Sequence, residues 1–189
     1  AELVSRELQL FLTKKACGNN QLIPMCGIPH RAYLSYCQKL VDRGYKVGIC
    51  EQVEDPKLTK KLVKRDVIQI ITPGANLDLV TTDNNYTASL GIYPGLAVLT
   101  YADLSTGEMN CINIEPNKET ILEQLLSIDA RELIVPTSMD ASLILYIKKN
   151  SNILVSYYND THTSLEIDPL FENLKDERQI ESAARLYNY

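Results

Sequence analysis

The chain has no tryptophan, only two histidines, and no two cysteines in C-x-x-C spacing. A zinc site needs about four ligands, as a rule in closely spaced pairs. His30, His162 and the cysteines Cys17, Cys26, Cys37, Cys50 and Cys111 offer no such set, so no metal site is expected. No apolar run approaches the roughly 18 residues of a membrane-spanning helix. Residues 1–7 lack the basic start and apolar stretch of a secretion signal. The cysteines are therefore expected to be reduced and mostly buried, in a cytoplasmic protein. Asn85-Tyr86-Thr87 and Asn159-Asp160-Thr161 match the glycosylation triplet but, with no export signal, are expected to be chance. None of the eight glycines is followed by lysine, which excludes a Gly-Lys-Ser/Thr phosphate loop.

What is present is an ordinary globular composition, 45% hydrophobic and 23% charged over 189 residues, enough for one large or two small domains. The net charge of −5 is unevenly spread. Residues 1–78 carry twelve Lys and Arg against eight Asp and Glu, a balance of +4; residues 79–189 carry seven against sixteen, −9. A positive half suits phosphates and a strongly negative half is repelled by them. The split predicts two domains, 1–78 and 79–189, joined through the turn clusters around residues 75–84.

In the first half the opening residues read as part of a helix, as in a piece of a longer chain. Alternation over 8–15 predicts a strand, and Leu22-Ile23 a short one stopped by Pro24. Gly27-Ile28-Pro29-His30 opens a helix whose apolar stripe is Tyr33, Tyr36, Cys37, Leu40 and Val41, closed by Gly44. Strands follow at Val47–Ile49, broken by Asp55-Pro56, and at Val67–Ile71. The basic run Lys57, Lys60, Lys61, Lys64 and Arg65 lies between them; it is a solvated face or a phosphate contact. In the second half, strands are predicted at 86–93, 96–103 and 108–114 with hairpin-length links. Then come a helix with Ile121, Leu122, Leu125 and Leu126 inward, a strand at 133–135, a helix at 141–149 and a strand at 153–157. Asp176 caps a last helix with Ile180, Ala183, Ala184 and Tyr187 on one face. The class is α/β, and the order βββαβαβα in the second half is ribonuclease-H-like.

Ile23-Pro24-Met25-Cys26-Gly27-Ile28-Pro29-His30, Gly48-Ile49-Cys50-Glu51-Gln52-Val53-Glu54-Asp55-Pro56 and Ile71-Thr72-Pro73-Gly74 stand in order. So do Asp83-Asn84-Asn85-Tyr86 and Ala102-Asp103-Leu104-Ser105-Thr106-Gly107-Glu108. With their spacing they closely resemble the bacterial MutS mismatch-repair family over nearly the whole chain. The resemblance implies the end of a mismatch-recognition domain followed by a ribonuclease-H-like connector domain. The implied partners are mismatched double-stranded DNA, the MutL protein and, for the full-length protein, a second copy in a dimer. ATP and Mg are implied as cofactors of the full-length protein, a DNA-dependent ATPase, and none for this part of it. The family's mismatch-reading Phe-x-Glu is expected upstream of Ala1; Phe11, followed by Leu12 and Thr13, does not match it. Gln69 stands where many members have arginine, and Ala75 where they have threonine.

The candidate DNA contacts are Met25, Cys26, Gly27, Pro29 and His30, with Lys64, Arg65 and Gln69. Glycine permits close backbone approach, proline stiffens the loop, and a methionine presses on a base edge or sugar. The alternative is that Met25 and Ile28 are core and the rest merely shapes a helix entry. The candidate MutL-docking acids are Glu119, Glu123, Glu172, Asp176, Glu177 and Glu181, which otherwise serve only solubility. No catalytic residue is expected. The other reading of the second half, a metal-dependent nuclease, rests on Asp103 and Glu108. It wants further acids from the fourth strand, which Glu132 only flanks, and Asp103 reads more simply as the cap of the Ser105-Thr106-Gly107 turn.

Overall fold

The computed structural model describes residues 1–17, 21–54, 63–74, 85–162, 171, 173, 174 and 176–189. The chain divides into two compact units, Ala1–Thr72 and Pro73–Tyr189. The expected joint over 75–84 lies outside the described residues, as do Asp55-Pro56, Lys57, Lys60, Lys61 and Glu172.

Unit 1 holds helix α1 (Glu2–Leu8), an antiparallel pair β1 (Leu12–Ala16) and β2 (Leu22–Cys26), helix α2 (Tyr33–Val41), and a second antiparallel pair β3 (Val47–Gln52) and β4 (Arg65–Ile71). The α2 stripe works as its spacing suggests. Cys37 and Val41 are buried with Ile71, and Tyr33, Val47 and Ile49 pack around them. The helix ends where Gly44 turns left-handed (φ 82°), its N–H on the Val41 carbonyl while the Tyr45 N–H returns to Leu40. Opposite β3, the ladder skips Ile68, a bulge in β4.

Three expectations fail in this unit. Leu8 ends α1 instead of starting a strand, because Gln9 turns left-handed (φ 53°) and redirects the chain. Pro24 does not stop β2 but pairs opposite Lys14; both members of a two-stranded sheet are edges, where a missing N–H is tolerated. The helix expected from Gly27 begins later, with Pro29 capping a 3-10 turn over His30–Ala32 that runs into α2.

Unit 2 is a five-stranded sheet in the order β7-β6-β5-β8-β9. Strands β5 (Tyr86–Tyr93), β6 (Leu96–Asp103) and β7 (Glu108–Ile114) form an antiparallel meander, and β8 (Ala130–Val135) and β9 (Leu154–Tyr157) lie parallel to β5. Helix α3 (Lys118–Ser127) leads into β8 and α4 (Ala141–Asn150) into β9. Asn117 and Asp140 cap them by accepting from the Thr120 and Ser142 N–H groups. Ile121 and Leu125 of α3 and Leu143, Ile144 and Ile147 of α4 share one apolar cluster with Ala88, Leu90, Leu99, Leu133 and Val135. Because strand residues alternate faces, Thr87, Ser89, Thr100, Ala102, Glu132, Ile134 and Ser156 point the other way. There the last helix, α5 (Glu177–Asn188), covers β5 and β6, with Leu186 against Ala102 and Ile134.

The expected faces of α3 and α5 each hold one outward residue: Leu126 of α3 is 53% exposed and Tyr187 of α5 59%. In α5 the residues Ser182, Arg185 and Leu186 are buried instead. The cysteines also depart from expectation: all five are free, but only Cys37 is buried. Among the described residues no helix is long and apolar enough to cross a membrane. Leu125→Ala is expected to cost about 3 kcal/mol through cavity formation, whereas Leu126→Ala next to it should stay within about 0.5 kcal/mol. Denaturant melts of the two variants check the assignment; equal losses would mean the inward face of α3 is misplaced.

Candidate functional site

The best sequence candidate, residues 25–30, ends β2 and enters the 3-10 turn. Met25, Gly27, Ile28, Pro29 and His30 are exposed and Cys26 is half-buried, its thiol donating to the Ala1 carbonyl at 3.6 Å. Met25 and Ile28 are thus not core residues. A Cβ built at Gly27 meets nothing within 4 Å, so internal packing does not demand the glycine. His30 leans on Tyr33, ring centroids 5.9 Å apart. The segment is an apolar and aromatic knuckle with an unobstructed backbone.

Lys64, Arg65 and Gln69 sit on the other sheet of unit 1, along β4 and its approach. All three are exposed. The Lys64 backbone is held in place, accepting from Val53 N–H and donating to the Glu54 carboxylate. Its ammonium lies 3.8 Å from Asp66, a solvated pair that restrains it weakly. The β4 side chains and the 25–30 knuckle therefore rise from different two-stranded sheets.

The acids chosen for partner docking do not form one patch. Glu119 and Glu123 are exposed on α3, on one face of the unit 2 sheet; Asp176, Glu177 and Glu181 belong to α5 on the opposite face. Asp176 caps α5 and grips Arg178, accepting from its backbone N–H and its guanidinium. These bonds, the side-chain ones foremost, hold its pKa down to about 2. Glu181 is turned inward: one oxygen accepts from Tyr93 Oη at 2.7 Å and the other from Arg185 at 2.7 Å. Burial first, then the Glu181 carboxylate, pushes the Tyr93 phenol well above its ordinary pKa.

Asp103 behaves as a turn cap. It accepts from Ser105 N–H (2.8 Å) and Ser105 Oγ (2.7 Å), with Asn85 N–H on its second oxygen, and Gly107 turns left-handed behind it. The Ser105 hydroxyl bond, against burial, lowers its pKa. Among the described residues no group of three His, Cys, Asp or Glu is placed to hold a metal ion.

Sequence reading missed the polar seam under α5. Arg185 is 2% exposed, donating to Glu181 and to the Leu90 carbonyl. Thr100 Oγ1 donates to Ser182 Oγ, which donates on to the Ser89 carbonyl. Glu132, within β8 and not beside it, is wholly buried. Glu132 leaves no mark in the pattern, since Arg131-Glu132 reads as the polar lead-in to Leu133. Arg185 was within reach: it lies three residues from Ser182, on the face that docks.

Comparison with known proteins then separates the readings. Residues 1–79 match the family model for MutS domain I. The DNA mismatch repair protein MutS of Oceanobacillus iheyensis is 39% identical over 193 residues, covering 100% of this chain and 22% of its own length. Its counterpart in Clostridium novyi is 39% identical over 94% of this chain and 20% of its own length, and that of Bacillus subtilis 36% over 100% and 22%.

The chain belongs to the MutS family.

It spans about a fifth of the length of the curated MutS relatives it matches. The domain I match covers all of unit 1, so the 25–30 knuckle and β4 lie in MutS domain I, while the α3 and α5 acids lie beyond it. Reversing Glu181 to Lys should destabilise unit 2 by about 2 kcal/mol: it strips the buried Arg185 guanidinium of its counter-charge, but the Glu181 side chain is 42% exposed and solvent screens part of the loss. Glu123→Lys should stay within about 0.5 kcal/mol. Thermal or urea unfolding of both checks this; a silent Glu181→Lys would mean that solvent alone compensates Arg185.

Proposed function

We propose that this chain is a non-catalytic part of a DNA mismatch-repair protein, in which unit 1 lies against mismatched double-stranded DNA and unit 2 is the connector. The observation that carries the reading is the match of the whole chain to DNA mismatch repair proteins MutS, within which the exposed 25–30 knuckle falls in domain I. Met25, Gly27, Pro29 and His30 press on the sugar edge of the groove, Cys26 supports them, and Lys64, Arg65 and Gln69 reach the phosphates. Mismatch reading and ATP hydrolysis with Mg belong to the longer protein. No glycine here precedes a lysine, so this chain's own residues do not fit ATP.

The ribonuclease-H-like reading of unit 2 is supported by a mixed sheet with three antiparallel strands and two parallel to the first. Its role is to link the DNA-facing part to the rest of the protein and to dock MutL, with dimer formation left to the longer protein. Of the candidate docking acids, Glu119 and Glu123 on α3 and Glu177 on α5 point to solvent, and the inward use of Glu181 leaves it to the fold. The nuclease reading gains no support, because both oxygens of Asp103 are spent on the turn and on Asn85.

Fluorescence anisotropy with a labelled duplex, over a series of salt concentrations, tests the DNA-facing part of the reading. The 189-residue chain is expected to bind weakly with a steep salt dependence. Lys64→Ala or Arg65→Ala should each lower the slope of log K against log salt by about one. Gly27→Ala, which meets no atom of the chain, should fold normally yet lower affinity several-fold. Unchanged slopes and an unchanged Gly27→Ala affinity would remove unit 1 from the DNA.

A further inference from the structure

Glu132 is the one acid of β8, fully buried, and three segments far apart in sequence converge on it. Its Oε2 accepts from the Gly74 N–H at 3.3 Å, at the start of unit 2. Its Oε1 accepts from the Ser156 hydroxyl of β9 and, at 2.5 Å, from the Tyr189 hydroxyl just past the end of α5. The fit at Gly74 is close: a Cβ there would land on Thr87 Oγ1 and lie 3.0 Å from the Glu132 Cβ. Thr87 Oγ1 is itself buried without a hydrogen-bond partner, so the segment at 73–74 is seated against β5 and β8 by the carboxylate and not by Thr87. Tyr189 is also held by its edge-to-face contact with Tyr158, centroids 5.7 Å apart.

We propose that Glu132 is a latch that couples the seating of Gly74 to the docking of the C-terminal end of α5. The reason is the cost of a buried charge. A carboxylate out of water is tolerable only while donors surround it. When Tyr189 leaves, one donor is lost and the side where it sat opens to water. Water then competes for the carboxylate, and the Gly74 bond, the longest of the three described, is the one that yields. The coupling runs both ways by thermodynamic necessity: lifting Gly74 loosens the end of α5. Glu132 acts here through its donors, and the latch gives Gly74 and Tyr189 one shared response.

Amide hydrogen exchange by NMR on the 189-residue chain tests this. Tyr189→Phe removes one hydroxyl that does not touch Gly74, and it should raise the exchange rate of the Gly74 amide at least fivefold while the amides of Val98 and Leu99 keep theirs. Ser182→Ala loosens α5 at its middle without reaching Glu132 and should change Gly74 less than twofold. In a Glu132→Gln background, Tyr189→Phe should add nothing further at Gly74. The latch is overturned if Tyr189→Phe leaves Gly74 within twofold of the parent, or if Ser182→Ala moves it as much. Should Glu132→Gln fail to fold, the comparison of Tyr189→Phe with Ser182→Ala decides alone.

Discussion

A carboxylate sealed from water must be ringed by donors, and the α5 side of the unit 2 sheet is built around that requirement at Glu132. An isolated buried charge costs several kcal/mol even after the protein relaxes. Here a backbone N–H from residue 74 and hydroxyls from Ser156 and Tyr189 meet it. The same logic recurs at the other end of α5, where buried Arg185 is balanced by Glu181 and Tyr93 closes the pair. Within that stretch of α5, Ser182 bridges Thr100 and Ser89. The opposite face of the sheet is different in kind: α3 and α4 pack on it through leucine, isoleucine, valine and alanine. Apolar contact is forgiving about register, and polar contact is not. The sheet thus carries two helices by burial and one by directional bonds.

The extent to which this was legible in the sequence follows the same division. Strands β5, β6 and β7 lie where the Pro94-Gly95 and Ser105-Thr106-Gly107 turns bound them, because turn chemistry is local even though β5 and β6 are buried on both faces. The expected α3 face holds except at Leu126. The α5 face was wrong where it mattered. The spacing puts Tyr187 inward and does not point to Arg185, since hydrophobicity is a poor guide to a helix seated by hydrogen bonds. Glu132 was invisible for the same reason: a buried acid is recognisable only from its donors, and those come from residues 74, 156 and 189. In unit 1, the left-handed Gln9 and the edge position of Pro24 depend on backbone surroundings that local pattern does not encode.

For the site, the sequence named the segment and the structure supplied its character. Residues 25–30 carry a recognisable motif, but only the structure removes the core reading: Met25 and Ile28 are exposed, and Gly27 has open space before it. Phe11, 89% exposed beside β1, adds to the apolar surface of unit 1. The acidic half resolved in the other direction. A net charge of −9 suggests a docking surface, yet the described candidate acids lie on opposite layers and two of them, Asp176 and Glu181, are spent on α5. Total charge predicts which partners are repelled; placement decides which side chains remain available.

Oxidative footprinting of the methionines addresses the central functional claim most directly, because the three lie in different settings. Met25 is exposed in the candidate contact, while Met109 and Met139 are half-buried in unit 2 and serve as internal references. Hydroxyl-radical labelling of the chain with and without saturating duplex at low salt, read by mass spectrometry, should show Met25 protected severalfold on DNA binding and the other two unchanged. Equal labelling of Met25 in both states, with binding confirmed in parallel, would contradict the placement of the 25–30 knuckle against DNA.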